Sequence, residues 1–213
     1  MLVIFDCDGV LVDSEPPANR VLRDSLARYG LDLPLPEVMA RFVGSTMAGV
    51  EDRARTMGAE LPPGWLDEIY RETFVALEGI PAMPGVIAAI DGLEAAGTRT
   101  CIASNGPMAK MEVSLAASGL WARFAGRIFS AHEVGVAKPD PGLFLHAARA
   151  MGVDPAETVV VEDSASGMKA AQAAGMRCLA FVPAGQDVSA LGATAFHAMA
   201  DLPDLVLEAS CGS

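Results

Sequence analysis

The sequence predicts an α/β protein, a doubly wound parallel sheet (Rossmann-like) with an α-helical cap domain inserted near its start. Three observations lead there. Short apolar runs alternate with longer helical patterns through residues 1–14 and 82–213. The runs are apolar at consecutive positions, as in strands buried on both faces of a parallel sheet. Between the two parts, residues 15–81 carry helical patterns and no convincing strand. Alternation of strand and helix calls for right-handed crossovers that lay helices on both sheet faces.

The expected strands, in chain order, cover 2–6, 99–103, 127–129, 158–162, 177–181 and 193–197. Helices are expected near 85–97, 108–118, 140–151, 165–174 and 201–208, with Gly97, Gly119, Gly152 and Gly175 placed as C-terminal caps. The insertion should hold helices at 18–29, 35–42, 46–57 and 63–77. Its junctions are Ser14-Glu15-Pro16-Pro17 on entry and Gly79 to Gly85, with Pro81 and Pro84, on exit. Proline and glycine at both ends suggest a hinge pair. No internal repeat and no low-complexity tract interrupts this order.

Composition narrows the function classes. At 213 residues and 52% hydrophobic content, the chain can build a substantial core, which excludes intrinsic disorder. Mean hydropathy is +0.35, raised largely by alanine in helical stretches. The apolar run Met1 to Phe5 stops at Asp6, too short for a secretory segment or a membrane span, so a soluble, cytoplasmic protein is expected. A net charge of −12 argues against nucleic-acid or acidic-membrane partners. An anionic substrate would then need a metal or a placed cation. Of 15 basic residues only Lys110, Lys138 and Lys169 are lysines. Cys7, Cys101, Cys178 and Cys211 lack any CxxC spacing and read as buried thiols in a reducing compartment.

Four places on the chain carry chemistry. The first strand runs out into Asp6-Cys7-Asp8-Gly9, two carboxylates at i and i+2 with a glycine for the turn. Such a pair is costly unless a cation holds it, and a hard divalent ion such as Mg²⁺ suits it, although acidic turns after strands are also common. The second strand ends in Ser104-Asn105-Gly106-Pro107, a hydroxyl and amides opening onto a helix N-terminus, which makes an anion site or an ordinary cap. Lys138 stands in a loop before Pro139-Asp140-Pro141, where a surface lysine would be the ordinary reading. The fourth element is Glu162-Asp163-Ser164 with Gly167, again where a buried strand ends, and there a helix-capping role competes. In an open parallel sheet the carboxyl ends of the strands share one crevice, where ligands bind. Carboxylates for a metal, a hydroxyl for an anion and one lysine together describe phosphoryl chemistry.

These motifs resemble those of the haloacid dehalogenase-like hydrolase superfamily, in the branch with a helical cap inserted after the first motif. The likeness covers nearly the whole chain. Residues 5–15 are similar to the first motif, Ser104-Asn105-Gly106 to the second, Lys138-Pro139-Asp140-Pro141 to the third, and Glu162-Asp163-Ser164 with Gly167 and 170–176 to the fourth. Bacterial sugar-phosphate phosphatases, 6-phosphogluconate phosphatases among them, show similar Ser-Asn-Gly-Pro and Lys-Pro-Asp-Pro segments.

The resemblance implies an Mg²⁺-dependent phosphatase acting on a small phosphorylated metabolite through an aspartyl-phosphate. Asp6 would be the nucleophile, and Asp8 would protonate the leaving alcohol and then deprotonate the attacking water. The ion would be held by Asp6, the main-chain carbonyl of Asp8 and Asp163, with Glu162 acting through a water. Gly9, Ser104, Asn105 and Lys138 would form the phosphate-binding set. From the cap, Glu15 and Arg41, the latter with Gly44, Ser45 and Thr46, are expected toward the rest of the substrate. A solvated helix residue is the competing reading of Arg41.

Rival readings remain. A β-phosphoglucomutase uses the same intermediate, but a histidine expected of mutases is Ala18 here, and an arginine they carry after the cap glycine is Met47. A dehalogenase would need neither Mg²⁺ nor an acid at Asp8. A phospho-receiver switch or other non-turnover binding protein would combine similar groups on a shorter chain without the insertion. His132, His146 and His197 are read as structural or surface residues, and Trp65 and Trp121 as packing. Met168, Met176 and Met199 are read as core filler. Lys110 and Lys169, together with Arg53, Arg55 and Arg71, are read as solvated. A monomer is expected.

Overall fold

The computed structural model describes residues 1–42 and 45–208. It divides into two compact units, Met1–Asp13 with Ile80–Ser213, and Ser14–Gly79. The first unit is built on six parallel strands: β1 (Leu2–Phe5), β2 (Arg99–Ser104), β3 (Ile128–Ser130), β4 (Thr158–Glu162), β5 (Arg177–Phe181) and β6 (Ala193–Phe196). Their order is β3-β2-β1-β4-β5-β6. The doubly wound α/β fold expected from the sequence is therefore present. β1 lies centrally between β2 and β4, and its four side chains are fully buried. That placement explains its unbroken apolar run, because both of its faces are covered.

Helices of this unit are α5 (Val86–Ala95), α6 (Met108–Ala116), α7 (Leu120–Arg123), α8 (Ala131–Val134), α9 (Gly142–Ala150), α10 (Ala165–Ala173) and α11 (Leu202–Glu208). The numbering leaves α1 to α4 for the insertion: Glu15–Arg28, Leu35–Phe42, Met47–Thr56 and Trp65–Leu77. On one face of the sheet Leu2, Ile4, Val160 and Cys178 join Phe144, Ala147, Ala148 and Met168 in one buried cluster. The four expected cap glycines all take positive φ.

The second unit has its own core. Leu22, Leu26, Val38, Phe42, Val50, Trp65 and Ile69 pack together. Trp65 is fully buried and donates its indole N–H to Ser25 Oγ at 2.9 Å, so its polar atom is satisfied inside an apolar cluster. Met47 packs against the same cluster.

Several local expectations need correction. The first helix of the insertion begins at Glu15 and not at residue 18: Pro16 and Pro17 occupy its first turn, where a missing N–H costs nothing. The one-turn helices α7 and α8 are too short to give a periodic signal. β3 starts at Ile128, one residue late, because Arg127 N–H closes a turn onto the Phe124 carbonyl. Gly44 and Cys211 lie outside the described residues. Cys7, Cys101 and Cys178 are buried free thiols, and burial pushes the latter two up to about 12. Met168, Met176 and Met199 are buried, His146 meets Phe129 edge-on, and the His197 ring bonds the Val182 carbonyl. Among the described residues no helix is long and apolar enough to cross a membrane.

Candidate active site

The carboxyl ends of β1, β2 and β4 are neighbours, so the residues just beyond them converge by topology alone. Asp6 follows β1, and its N–H continues the ladder onto the Val161 carbonyl at 2.9 Å. Beyond it the chain turns tightly, with Leu11 and Val12 donating back to the Cys7 carbonyl and Gly9 to that of Val12. Gly9 takes φ +79°, and a Cβ there would fall 2.0 Å from Asp163 Oδ2. The glycine is thus needed twice, for the left-handed turn and for the close approach of Asp163.

Lys138 stands at the centre of the site. Its ammonium donates to Asp6 Oδ1 at 2.5 Å and to Glu162 Oε1 at 2.6 Å, with the Phe144 ring centroid 4.9 Å away. The lysine side chain is 2% exposed and that of Glu162 not at all. Burial pulls the Lys138 pKa down, but the two carboxylates outweigh it and the net shift is upward, so the side chain is held as ammonium. Burial also pushes Asp6 up to about 7; the Lys138 charge opposes this, while Glu162 and Asp8 add to it.

The lysine loop is held by Asn105. Its amide oxygen accepts the Lys138 N–H at 2.8 Å and its amide nitrogen donates to the Lys138 carbonyl at 3.1 Å. The Asn105 side chain, expected at the phosphate, is therefore engaged with the Lys138 main chain. Ser104 is buried, and its hydroxyl accepts the Gly106 N–H at 3.0 Å at the mouth of α6.

Glu162 is the most constrained acid. Its second oxygen accepts from Asp163 N, Ser164 N and Ser164 Oγ at 3.1, 3.0 and 2.9 Å. Ser164 also caps α10, accepting the Gly167 N–H. A Cβ on Gly167 would sit 1.9 Å from the Glu162 carboxyl, so only glycine leaves room for it. Asp6, Glu162 and Asp163 present carboxylate oxygens within 4.8 Å of one another. Hard oxygen donors at that spacing, with Gly9 cleared for Asp163, fit a divalent cation. Because Glu162 is already saturated by protein donors, a contact through water suits it better than direct ligation. The Asp8 carboxylate is not in this cluster.

Instead, Asp8 Oδ2 accepts from Lys110 Nζ at 2.7 Å. This corrects the reading of Lys110 as a solvated helix residue. Burial lowers its pKa, but the Asp8 carboxylate more than compensates and the net effect is upward. A signal was present in the sequence. Lys110 is the third residue of α6, at a helix end where a cation is disfavoured, and α6 has no acidic residue in its first turn to offset it.

Glu15 and Arg41 belong to the second unit. Glu15 is exposed in the first turn of α1. Arg41 makes an exposed i,i+4 ion pair with Glu37 at 2.6 Å, the ordinary role weighed for it. Arg55 likewise pairs with Glu51, and Arg53 donates to the Arg41 carbonyl.

A haloacid dehalogenase-like hydrolase family model matches residues 1–175. A 6-phosphogluconate phosphatase of Escherichia coli (strain K12) is 31% identical over 208 residues, 95% of this chain and 93% of that protein. Hexitol phosphatase B of the same strain is 32% identical over 188 residues, covering 86% and 84% of the two chains. Among solved structures, a haloacid dehalogenase-family hydrolase of Deinococcus radiodurans R1, with bound phosphate and sodium, superposes with a TM-score of 0.82. It is 32% identical over 98% of this chain and 96% of that one.

Proposed function

The chain belongs to the haloacid dehalogenase-like hydrolases and is a phosphatase among them, and on that premise we propose that it hydrolyses a small sugar or sugar-acid phosphate through an aspartyl-phosphate on Asp6, with Mg²⁺. The observation that carries this reading is the division of labour between the two aspartates. Asp6 is buried against Lys138 and grouped with Glu162 and Asp163, whereas Asp8 is turned to a separate lysine.

In the first displacement Asp6 attacks phosphorus, the bond from phosphorus to the alcohol oxygen breaks, and that oxygen takes a proton from the Asp8 carboxyl. In the second, water attacks the phosphorus of the acyl phosphate, its proton passes to Asp8, and phosphate leaves as Asp6 is regenerated. Lys138 keeps its proton throughout. Its ammonium offsets the charge of Asp6 and Glu162 and faces the oxygens of the transferring group with the Ser104 hydroxyl. Asn105 serves by holding the Lys138 main chain in place. Asp6, the Asp8 carbonyl and Asp163 would hold Mg²⁺, with Glu162 through water. The bound ion supplies charge stabilisation at the phosphoryl oxygens.

The sugar-phosphate class rests on the names of the two Escherichia coli relatives. It is tested by phosphate release from 6-phosphogluconate, hexitol and hexose phosphates, phosphoglycolate and nucleotides with Mg²⁺, using Asp6→Asn as the blank. Release from sugar or sugar-acid phosphates, absent in the blank, is the expected outcome. Release confined to nucleotides would overturn the substrate class, and release that persists in Asp6→Asn would overturn the nucleophile.

A further inference from the structure

Lys110 has no part in the reaction as described above, yet it is one of three lysines in a chain of net charge −12 and its ammonium lies 2.7 Å from Asp8 Oδ2. Its place follows from helix geometry. Side chains tilt toward the N-terminus of their helix, so a residue in the first turn of α6 reaches back over the turn that precedes it. That turn is Ser104 to Pro107, at the carboxyl end of β2. Gly106 lies beneath the lysine. A Cβ there would be 3.4 Å from Ser104 Oγ, 3.7 Å from Lys110 Cδ and 3.8 Å from Asp8 Oδ2, so these three groups surround one point. The side chains of Lys110 and Asp8 are 21% and 27% exposed, so solvent competes only partly for the pair.

We propose that Lys110 is a positioning residue for proton transfer: its ammonium anchors one oxygen of Asp8 and so fixes the plane of the carboxyl that serves the leaving alcohol. The proposal rests on Asp8 being that acid. In the first displacement the proton moves from Asp8 to the alcohol oxygen as the bond from phosphorus to that oxygen breaks, and Lys110 neither gains nor loses one. A residue with this role matters in proportion to how much the leaving group needs a proton. An alkoxide needs one; 4-nitrophenolate does not. A lysine that bound phosphate would matter equally for both.

The test compares kcat/KM for glycerol 2-phosphate and 4-nitrophenyl phosphate in wild type, Lys110→Met, Lys110→Arg and Asp8→Asn. This parameter reports the step up to alcohol release, so the second displacement does not enter. Both substrates are measured on one preparation, so their ratio is insensitive to any fraction that fails to fold. Lys110→Met should lose about 10- to 100-fold on the alkyl ester and less than about threefold on the aryl ester, with Lys110→Arg recovering part of the loss. Asp8→Asn should show the same bias, larger. Equal losses on both esters in Lys110→Met, or none, would overturn the proposal while a biased Asp8→Asn left the acid assignment standing. An unbiased Asp8→Asn would overturn that assignment and the proposal with it.

Discussion

Lys138 and Lys110 each hold one aspartate of the Asp6-Cys7-Asp8 segment, in opposite surroundings. Lys138 is sealed at 2% side-chain exposure, shared between two carboxylates, and its backbone is clamped by Asn105. Lys110 is partly open to solvent and serves Asp8 from the first turn of a helix. At Asp6 the protein supplies a fixed electrostatic frame, whose charges are needed before any substrate arrives. Asp8, held by Lys110, keeps partial access to water, which suits the acid–base role proposed for it. Substitutions on the two sides should therefore fail differently.

The largest effect is expected at Asp6, the proposed nucleophile. Asp6→Asn should cut phosphate release by at least about 10³-fold while circular dichroism shows the fold retained, because the change is nearly isosteric. Lys138→Met should damage stability as well as activity. Leaving Asp6 and Glu162 buried without their cation costs about 3–5 kcal/mol, read from urea unfolding midpoints. Part of that loss should return as pH falls and Asp6 takes up a proton. Gly167→Ala sharpens the contrast from the backbone side. Its Cβ would meet the Glu162 carboxyl, so a loss of about 1–3 kcal/mol is expected where alanine would otherwise favour a helix.

The pH dependence of Asp6 has a definite sign. Its folded value of about 7 lies above the ordinary 3.8, so the metal-free protein holds an extra proton between these values. Its contribution to stability therefore falls as pH rises through that window. A cation bound by the Asp6 carboxylate must displace the proton, so Mg²⁺ affinity should weaken by up to about tenfold per pH unit below about 7, measured by calorimetric titration. An affinity flat from about pH 6 to about pH 8 would contradict this placement of the ion. At the small end, Arg41→Ala removes an exposed i,i+4 pair and should shift stability by no more than about 0.5 kcal/mol.

What could be read from the sequence follows from how far each signal reaches. Asp6, Ser104 and Glu162 stand at or just beyond the ends of apolar strands, and parallel packing brings strand ends together whatever the crossovers between them do. Lys138 reads locally as a surface lysine and is picked out only by its company with the other three motifs and the likeness of Lys138-Pro139-Asp140-Pro141 to the third; its clamp by Asn105, 33 residues away in sequence, has no local signal. α6 begins at Met108 as expected, so its start does not hide Lys110; what the local sequence does not carry is the partner, Asp8, 102 residues away. The start of α1 is hidden by Pro16 and Pro17, since proline marks a loop and a helix start alike until the helix boundary is known.

The central claim, that Asp6 carries the phosphoryl group, is tested most directly by trapping it. Asp8→Asn, acid-quenched during turnover of 4-nitrophenyl phosphate and reduced with borohydride, should yield a peptide in which the residue at position 6 has been converted to homoserine, identified by mass spectrometry. Conversion at another carboxylate, or none at all while turnover proceeds, would contradict the account.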